Sequence, residues 1–321
     1  MSITLPFDDF RALLMQLHAP DRQSTINARA AFGRRNGGVE GGRFGDVGAW
    51  YASLAGGARL VARAQIAIFA GTHGVVRHGI SRLSVSSTVQ AVAACGDGSA
   101  TICKLCQTYD LGLKVFDLAL DVPTADITQK PALDERACAA TMAFGMEAVM
   151  EKPDVLCLAS FGPGSSTVSA ALLAALHGGP AGDWLAGSDN ELIAQRTTVV
   201  EDVLALHGPH CADPLEALCR IGGREFAAMA GAILAAGVER IPVVLHGKAA
   251  FCAAAVLAAV QPDALSHCIL AEKPANLRMA ELAQKLGLSH VFDAGFNGET
   301  DQPLSGALAI MAIKGAAASA T

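Results

Sequence analysis

Apolar positions recur at two different spacings along the chain, and each spacing predicts a different kind of element. In residues 5–18 they recur every three or four positions, so Phe10, Leu13 and Leu17 share one face of a predicted amphipathic helix. Elsewhere short apolar runs end in glycine or polar residues, which is typical of buried strands. The runs that predict strands are 65–70, 113–120, 155–161, 243–245 and 291–292.

Helical stretches separate these runs, and the alternation predicts an α/β fold. We expect a Rossmann-like parallel sheet covered by helices on both faces, with right-handed crossovers. Sites in such sheets lie at the carboxyl ends of the strands. Polar residues follow the predicted strand ends at Thr72 and His73, at 160–167, at His246 and Lys248, and at 297–301.

The third strand end predicts an anion site. Gly162 and Gly164 precede three hydroxyl residues and an Ala/Leu helix. Glycine lets a ligand approach the backbone closely, and the N–H groups at a helix start attract negative charge. The alternative is an ordinary strand-to-helix cap, which uses the same residue types.

Two further segments have recognisable local patterns. Asp213 and Pro214 predict a helix start, Gly222 ends that helix, and a second helix is predicted over 225–236. Glu225, early in that helix, reads as a partner of the helix dipole. Residues 33–48 hold seven glycines and three arginines, which predicts a mobile loop that closes over an anion or, alternatively, a plain flexible connector.

Composition and net charge limit the classes of protein to which this chain can belong. Hydrophobic residues make up 52% of the 321 residues, enough for a large core and a sizeable subunit interface. The net charge of −6 and the absence of a basic run argue against a broad nucleic-acid surface. No stretch of 18 apolar residues predicts a membrane span, and the N-terminus lacks a signal-peptide pattern.

The nine cysteines and nine histidines do not show the spacing of a metal site. Cys103 and Cys106 form the only close cysteine pair, and a structural zinc site needs a second one. His73 and His246 lack a nearby second ligand in the sequence. We expect no metal, no cofactor and reduced thiols in a cytoplasmic protein.

Several segments together resemble one family, the nicotinate-nucleotide:dimethylbenzimidazole phosphoribosyltransferases, over about residues 42–313. The turn from Gly162 through Gly164 to the hydroxyl residues is similar to the family's Gly-x-Gly-Asn-Thr-Thr loop. The other matching segments are 69–71, 73–75, 79–81, Thr88, Gln90, 213–218, 222–225 and 230–234. The resemblance implies phosphoribosyl transfer from nicotinate mononucleotide to a benzimidazole-like base in cobalamin lower-ligand synthesis. It also implies a homodimer, and a small helical domain formed by both chain ends.

The chain departs from the family pattern where chemistry is expected. A family glutamate is replaced by Ser160, and the family's Asp-His-Gly has Thr72 at its first position. The family's Asp-Gly-(Phe/Tyr) is replaced by His246, Gly247 and Lys248. These departures leave a second hypothesis open, a paralogue that binds a nucleotide or a partner subunit without the usual turnover.

The family's catalytic glutamate lies in a C-terminal Gly-Glu-Gly-Thr-Gly-Ala motif, and two alignments are possible here. Aligned from the left, the glutamate is Glu299, with Asp301 as second candidate. Aligned from the right, on Ser305, its position is Pro303 and the base is lost. We favour Glu299, which would remove the N–H proton of the acceptor base.

The resemblance also assigns the remaining site residues. Ser81 and Gln90 occupy the positions that touch the acceptor base, with Leu83 as a wall, and the alternatives are a helix cap for Ser81 and a surface amide for Gln90. Arg196 aligns with a family lysine, the alternative being a solvated helix charge. Further cleft candidates are His73, His246 and Lys248; the phosphate and ribose residues are Gly162, Gly164, Ser165, Ser166, Thr167 and Arg196.

The predicted domain organisation follows from the fold and the resemblance. Residues 1–60 form the N-terminal part of the small helical domain with the glycine-rich segment. Residues 61–300 form the α/β domain, and residues 301–321 return to the small domain as a helix.

Overall fold

A six-stranded parallel sheet forms the centre of the molecule. The structure is a computed structural model that describes residues 5–35, 41–187, 189–293 and 303–321. The strand order is β2-β1-β3-β4-β5-β6, and all five neighbouring pairs are parallel. The strands are β1 Ala64–Ala70, β2 Gly112–Asp117, β3 Val155–Phe161, β4 Val243–Leu245, β5 Cys268–Glu272 and β6 His290–Phe292.

Helices cover both faces of this sheet, and alternate residues of each strand point to opposite faces. In β1, Phe69 packs in one core, whereas Ile66 and Ile68 pack in the other. The helices are α1 Asp8–Leu14, α2 Arg22–Arg35, α3 Gly42–Ala55, α4 Val85–Gly96, α5 Thr101–Tyr109, α6 Glu135–Gly145, α7 Ser165–His177, α8 Asn190–His207, α9 Pro214–Ile221, α10 Arg224–Val238, α11 Gly247–Val260, α12 Leu277–Lys285 and α13 Leu304–Ala320. The predicted α/β fold is therefore confirmed.

The strand order places a topological switch point between β1 and β3. From β1 the chain moves to β2 on one side and then returns to β3 on the other side of β1. At such a point the connections leave in opposite directions and open a crevice at the carboxyl ends of the strands. The turns after β1 and β3 therefore line the expected site.

Local signals predicted some elements better than others. The Asp213 side chain accepts a hydrogen bond from the Leu215 amide and caps α9, as the sequence predicts. The fifth strand, Cys268–Glu272, was missed, because a run of only a few apolar residues before Lys273 does not separate strand from loop. The helix predicted over 5–18 is shorter, since α1 ends at Leu14.

The glycine-rich segment is helical at both of its described ends, so the predicted loop does not extend over the whole of residues 33–45. α2 continues to Arg35 and α3 begins at Gly42, while residues 36–40 lie outside the described chain. Tertiary packing explains the helix, because a Cβ at Gly48 would lie 3.1 Å from the Ala316 carbonyl oxygen in α13. Small residues let α3 and α13 approach closely.

The two ends of the chain meet through α2, α3 and α13. Arg35 donates a hydrogen bond to the Ser319 carbonyl at 3.3 Å, and Phe44 lies against Gly315. The same α13 also covers one face of the sheet, where Ile310 and Ile313 are fully buried. By contrast, α1 packs against the helices of the opposite face.

Candidate active site

The turns after β1 and β3 are held together at the switch point. The Gly71 amide donates to the Phe161 carbonyl at 2.9 Å, which continues the pairing of the two strands beyond their ends. Gly164 then adopts a left-handed conformation, with φ +85°, and serves as the N-cap of α7. A side chain is strained in this conformation, so glycine is needed where the chain turns into the helix.

The Gly162 turn directs a helix N-terminus toward the crevice. The Ser165 amide donates to the Gly162 carbonyl at 3.1 Å, and the Thr167 amide donates to the Gly164 carbonyl at 2.9 Å. Ser165 and Ser166 are partly exposed, whereas Thr167 is 1% exposed. The accessible hydroxyls of the turn are therefore those of Ser165 and Ser166, with the Thr167 side chain packed beneath them.

The segment that follows β1 forms the opposite wall of the turn. A Cβ at Gly164 would lie 3.0 Å from a methyl group of Val76 and 3.6 Å from Ile80. From α8, the Arg196 Nε donates to the Ile80 carbonyl at 2.8 Å, and the Gln195 side-chain amide donates to the His78 carbonyl at 2.6 Å. α8 thereby fixes the chain that contacts the turn.

Arg196 is 5% exposed, so it is not a solvated helix charge. A buried guanidinium requires hydrogen-bond partners or an anion nearby. The Ile80 carbonyl supplies one partner, and Ile80 also lies beside Gly164. Arg196 is thus connected to the Gly162 turn through Ile80.

The predicted acceptor residues lie in the next part of the same segment. The Ser81 hydroxyl accepts a hydrogen bond from the Leu83 amide at 3.1 Å, which fixes a tight turn before α4. Ser81 and Leu83 are partly buried, and Gln90 is exposed on α4. Ser81 and Leu83 therefore follow directly after Ile80, the residue that lies beside Gly164.

His73, a predicted cleft residue, is buried against Glu225 and does not line an open cleft. Its side chain is 1% exposed, and its Nε2 lies 2.5 Å from Oε1 of Glu225, whose side chain is fully buried. Glu225 is near the start of α10. Sequence reasoning treated Glu225 as a dipole partner and missed this pair, because the two residues are 152 positions apart and no local pattern connects them.

His246 and Lys248 lie at the carboxyl end of β4. His246 Nδ1 is 3.0 Å from the Ser305 hydroxyl, and Lys248 is in the first turn of α11. Burial lowers the pKa of His246 to about 4, so its imidazole is neutral near pH 7. A neutral His246 offers a hydrogen bond rather than a positive charge to this part of the sheet edge.

The predicted catalytic residues Glu299 and Asp301 lie outside the described residues. The flanking chain on one side is at the end of β6, where Asp293 pairs with Lys273 at 3.1 Å. On the other side, Pro303 is buried at the N-cap of α13, and Ser305 contacts His246. Both flanks therefore lie near the carboxyl edge of the sheet.

The described residues contain neither a cluster of metal ligands nor a helix that could span a membrane. No group of three or more His, Cys, Asp or Glu side chains there could hold a metal ion. No helix within the same ranges combines the length and the hydropathy that crossing a bilayer requires.

The Gly162 turn at the switch point of a parallel sheet is an arrangement that suits a phosphorylated ligand, and comparison with known proteins gives the family of the chain. A family model described as phosphoribosyltransferase matches residues 19–321. A protein from Rhizobium rhizogenes, 46% identical over 99% of this chain and 95% of its own length, is named nicotinate-nucleotide–dimethylbenzimidazole phosphoribosyltransferase. One from Rhizobium leguminosarum bv. trifolii with the same name is 48% identical over 90% of this chain and 88% of its own length. The chain belongs to this family of phosphoribosyltransferases, as the sequence resemblance predicts.

Solved structures support the fold independently. A crystal structure described as CobT from Thermus thermophilus superposes with a TM-score of 0.81 at 23% identity, covering 93% of this chain and 96% of that one. A second structure from the same organism, described as a dimethylbenzimidazole phosphoribosyltransferase, gives a TM-score of 0.82 at 24% identity, with 94% and 96% coverage. At these identities the likeness concerns the fold alone.

Proposed function

We infer that the protein transfers the phosphoribosyl group of nicotinate mononucleotide to a benzimidazole-like base, a step in making the lower-ligand ribotide of cobalamin. The near-full-length relationship to enzymes with that printed name carries this proposal. The position of the Gly162 turn at the switch point supports it, because a phosphorylated ligand suits a helix N-terminus there.

The reaction exchanges one bond at the ribose C1′ for another. The bond from C1′ to the nicotinate nitrogen breaks, and its electron pair leaves with nicotinate. A nitrogen of the acceptor then bonds to the oxocarbenium-like C1′ from the opposite face, and the acceptor's N–H proton passes to a base. The protein has to hold both rings in line, bind the 5′-phosphate and accept this proton.

We assign the phosphate and ribose to Gly162, Gly164, Ser165, Ser166 and Thr167, with Arg196 as the nearby cation. The accessible hydroxyls of Ser165 and Ser166 and the α7 dipole support this assignment. Ser165 would contribute its hydroxyl, since its amide already donates to Gly162. Arg196 supports the arrangement from the Ile80 side of the turn.

The acceptor base is assigned to Ser81, Leu83 and Gln90. Partial burial of Leu83 suits the edge of an apolar slot, and Gln90 is accessible for a hydrogen bond. His246 and Lys248 complete the polar rim at β4. Glu299, with Asp301 as the alternative, is the proposed base that takes the acceptor's proton.

A second function, binding without turnover, is favoured by one specific observation. Ser160 lies partly exposed at the end of β3, at the position of a family glutamate. A serine at this position supplies no carboxylate, so electrostatic stabilisation of a cationic sugar would have to come from a different side chain.

One experiment separates the two functions. The protein is incubated with nicotinate mononucleotide and dimethylbenzimidazole, and nicotinate release is measured. Turnover that falls by about 100-fold or more in Glu299→Gln, with Asp301→Asn as the matched comparison, supports the enzyme and its base. Absence of turnover with benzimidazoles, purines and phenols, in a protein that still binds nicotinate mononucleotide, supports the second function.

The proposal includes a cytoplasmic homodimer with the domain boundaries 1–60, 61–300 and 301–321. The contacts of α2 and α3 with α13 support a small domain made from both ends. All nine cysteines are free, which suits a reducing compartment. Light scattering at micromolar concentration tests the homodimer.

A further inference from the structure

The buried pair of Glu225 and His73 has no role in the proposed reaction, although the sequence predicts His73 as a cleft residue. Glu225 is 0% exposed and His73 is 2% exposed, and one carboxylate oxygen lies 2.5 Å from the imidazole Nε2. Within the described chain, the second oxygen Oε2 and the imidazole Nδ1 have no hydrogen-bond partner. Burying polar atoms in this way is unfavourable for stability. A role other than stabilising the fold would explain the pair.

Three glycines surround the Glu225 carboxylate. A Cβ at Gly71, Gly162 or Gly223 would run into one of its oxygens. Gly71 follows β1, Gly162 follows β3, and Gly223 is the N-cap of α10. The carboxylate therefore packs directly against the backbone of all three segments that meet at the switch point.

His73 connects the same carboxylate to a fourth segment. It forms an isolated parallel bridge with Thr124, and the Gly74 amide donates to the Thr124 carbonyl at 2.9 Å. The Thr124 amide in turn donates to the Thr72 carbonyl at 3.0 Å. Through His73, the carboxylate is thus tied to the chain that leads on to Ile80 and Ser81.

We propose that Glu225 and His73 are a positioning pair that sets the distance and orientation between the turn after β3 and the segment after β1. The first carries the proposed phosphate residues and the second leads to the proposed acceptor residues, so the inference rests on the proposed function. Because transfer requires the two substrates to be in line, a shift between these segments weakens binding and slows the chemical step together.

A second buried carboxylate provides a matched control at the opposite end of the same strands. Asp154 directly precedes β3 and accepts hydrogen bonds from the amides of Ala62 and Arg63, at 3.0 and 2.8 Å, and from Arg59 at 2.8 Å. It therefore ties the amino ends of β1 and β3, away from the proposed site. Replacing its carboxyl group with an amide is expected to disturb the amino ends of these strands and to leave the turns in place.

The kinetic test compares Glu225→Gln with Asp154→Asn, both of which preserve shape and replace a carboxyl oxygen with an amide nitrogen. For Glu225→Gln we expect KM for nicotinate mononucleotide to rise about fivefold or more and kcat, per folded protein, to fall about tenfold or more. For Asp154→Asn we expect both constants to stay within about twofold of wild type. Wild-type constants in Glu225→Gln would overturn the inference and leave the proposed function intact.

A second readout does not depend on turnover. In Glu225→Gln we expect faster hydrogen exchange of the backbone amides in residues 71–74 and 162–166. In Asp154→Asn we expect exchange to be unchanged there and faster in residues 62–64 and 154–156. Unchanged exchange at both turns would overturn the inference even if the wild-type protein has no activity. If Glu225→Gln does not fold, His73→Gln, which leaves the carboxylate in place, is measured in the same way with the same expectation.

Discussion

Arg196 shows how much the environment of a single side chain decides its role. Its sequence context, between Gln195 and Thr197 on a helix that also carries Glu191 and Glu201, is equally typical of a solvated arginine. In the structure Arg196 is buried, and its Nε donates to the Ile80 carbonyl, beside Gly164 of the Gly162 turn. A guanidinium donates in several directions at once, so it can hold a backbone carbonyl and still attract a phosphate.

We therefore expect Arg196→Lys to raise KM for nicotinate mononucleotide about tenfold, because an ammonium keeps the charge but cannot reproduce the Nε geometry. Steady-state kinetics at saturating acceptor concentration measures the effect. Gln195→Ala is the matched control, since Gln195 holds the neighbouring His78 carbonyl from the same helix. An equal rise in KM for both variants would mean that Arg196 acts only by fixing the loop.

Other residue roles could not be predicted from sequence either, because they too depend on tertiary contacts between distant segments. The contact of His73 with Glu225 joins β1 to α10, and its existence depends on the register of the whole sheet. The hydrogen bond that Ser81 accepts from the Leu83 amide, by contrast, is local; the alternative of a helix cap had the right kind of contact but the wrong element, since Ser84 is the N-cap of α4. Short-range capping and turn contacts follow from sequence, whereas long-range buried pairs do not.

At the level of elements, α6 and α10 pack with their backbones in contact. A Cβ at Gly231 in α10 would overlap the Met142 carbonyl of α6, and a Cβ at Gly145 in α6 would overlap the Ala228 carbonyl of α10. The two backbones therefore touch at two places. Such contacts leave no space for even one methyl group.

This packing predicts that Gly231→Ala destabilises the protein by about 1–3 kcal/mol, although alanine is the better helix former. Urea unfolding followed by circular dichroism measures the change. Gly96→Ala, at the end of α4 where a Cβ meets nothing within 4 Å, is the control and should be neutral or stabilising. Equal stability of the two variants would contradict the close approach of α6 and α10.

The elements that sequence predicted well have strong local signals, and those that it missed do not. Asp213, Pro214 and Gly222 mark the ends of α9 by their own backbone preferences. In residues 33–48 the glycine content suggested flexibility, yet at Gly48 glycine serves close packing with α13. Glycine suits both a flexible loop and a close helix contact, and only the presence of a neighbouring helix decides between the two.

At the scale of the whole molecule, two histidines with a lowered pKa link stability to pH. Burial lowers the pKa of His267 to about 4, although its Nε2 lies 2.8 Å from the Ile233 carbonyl. His246 shows the same lowered pKa, of about 4. An unfolded histidine has a pKa near 6.5, so between about pH 6.5 and 4 the unfolded state binds more protons than the folded state. The contribution of these two histidines to stability is therefore complete above about pH 6.5 and falls as the pH falls through this window.

For His267 alone we expect a loss of about 2 kcal/mol between pH 7 and pH 4.5. Urea unfolding at both pH values in wild type and His267→Gln measures it, since the variant should lose less stability over the same interval. His18→Gln, at an exposed position, is the control and should retain the wild-type dependence. A dependence unchanged by His267→Gln would mean that this histidine does not contribute to the loss.

The position of α13 has a consequence for biosynthesis. Ile310 and Ile313 of α13 complete the core that also contains Ile66, Cys157 and Val244 of the sheet. The ribosome delivers the chain from its N-terminus, so the strands of this face emerge before α13, which covers the face together with α3 and α5. During that interval the nascent protein presents an uncovered apolar surface, and chaperone binding to ribosome-bound chains should be strongest before α13 leaves the exit tunnel.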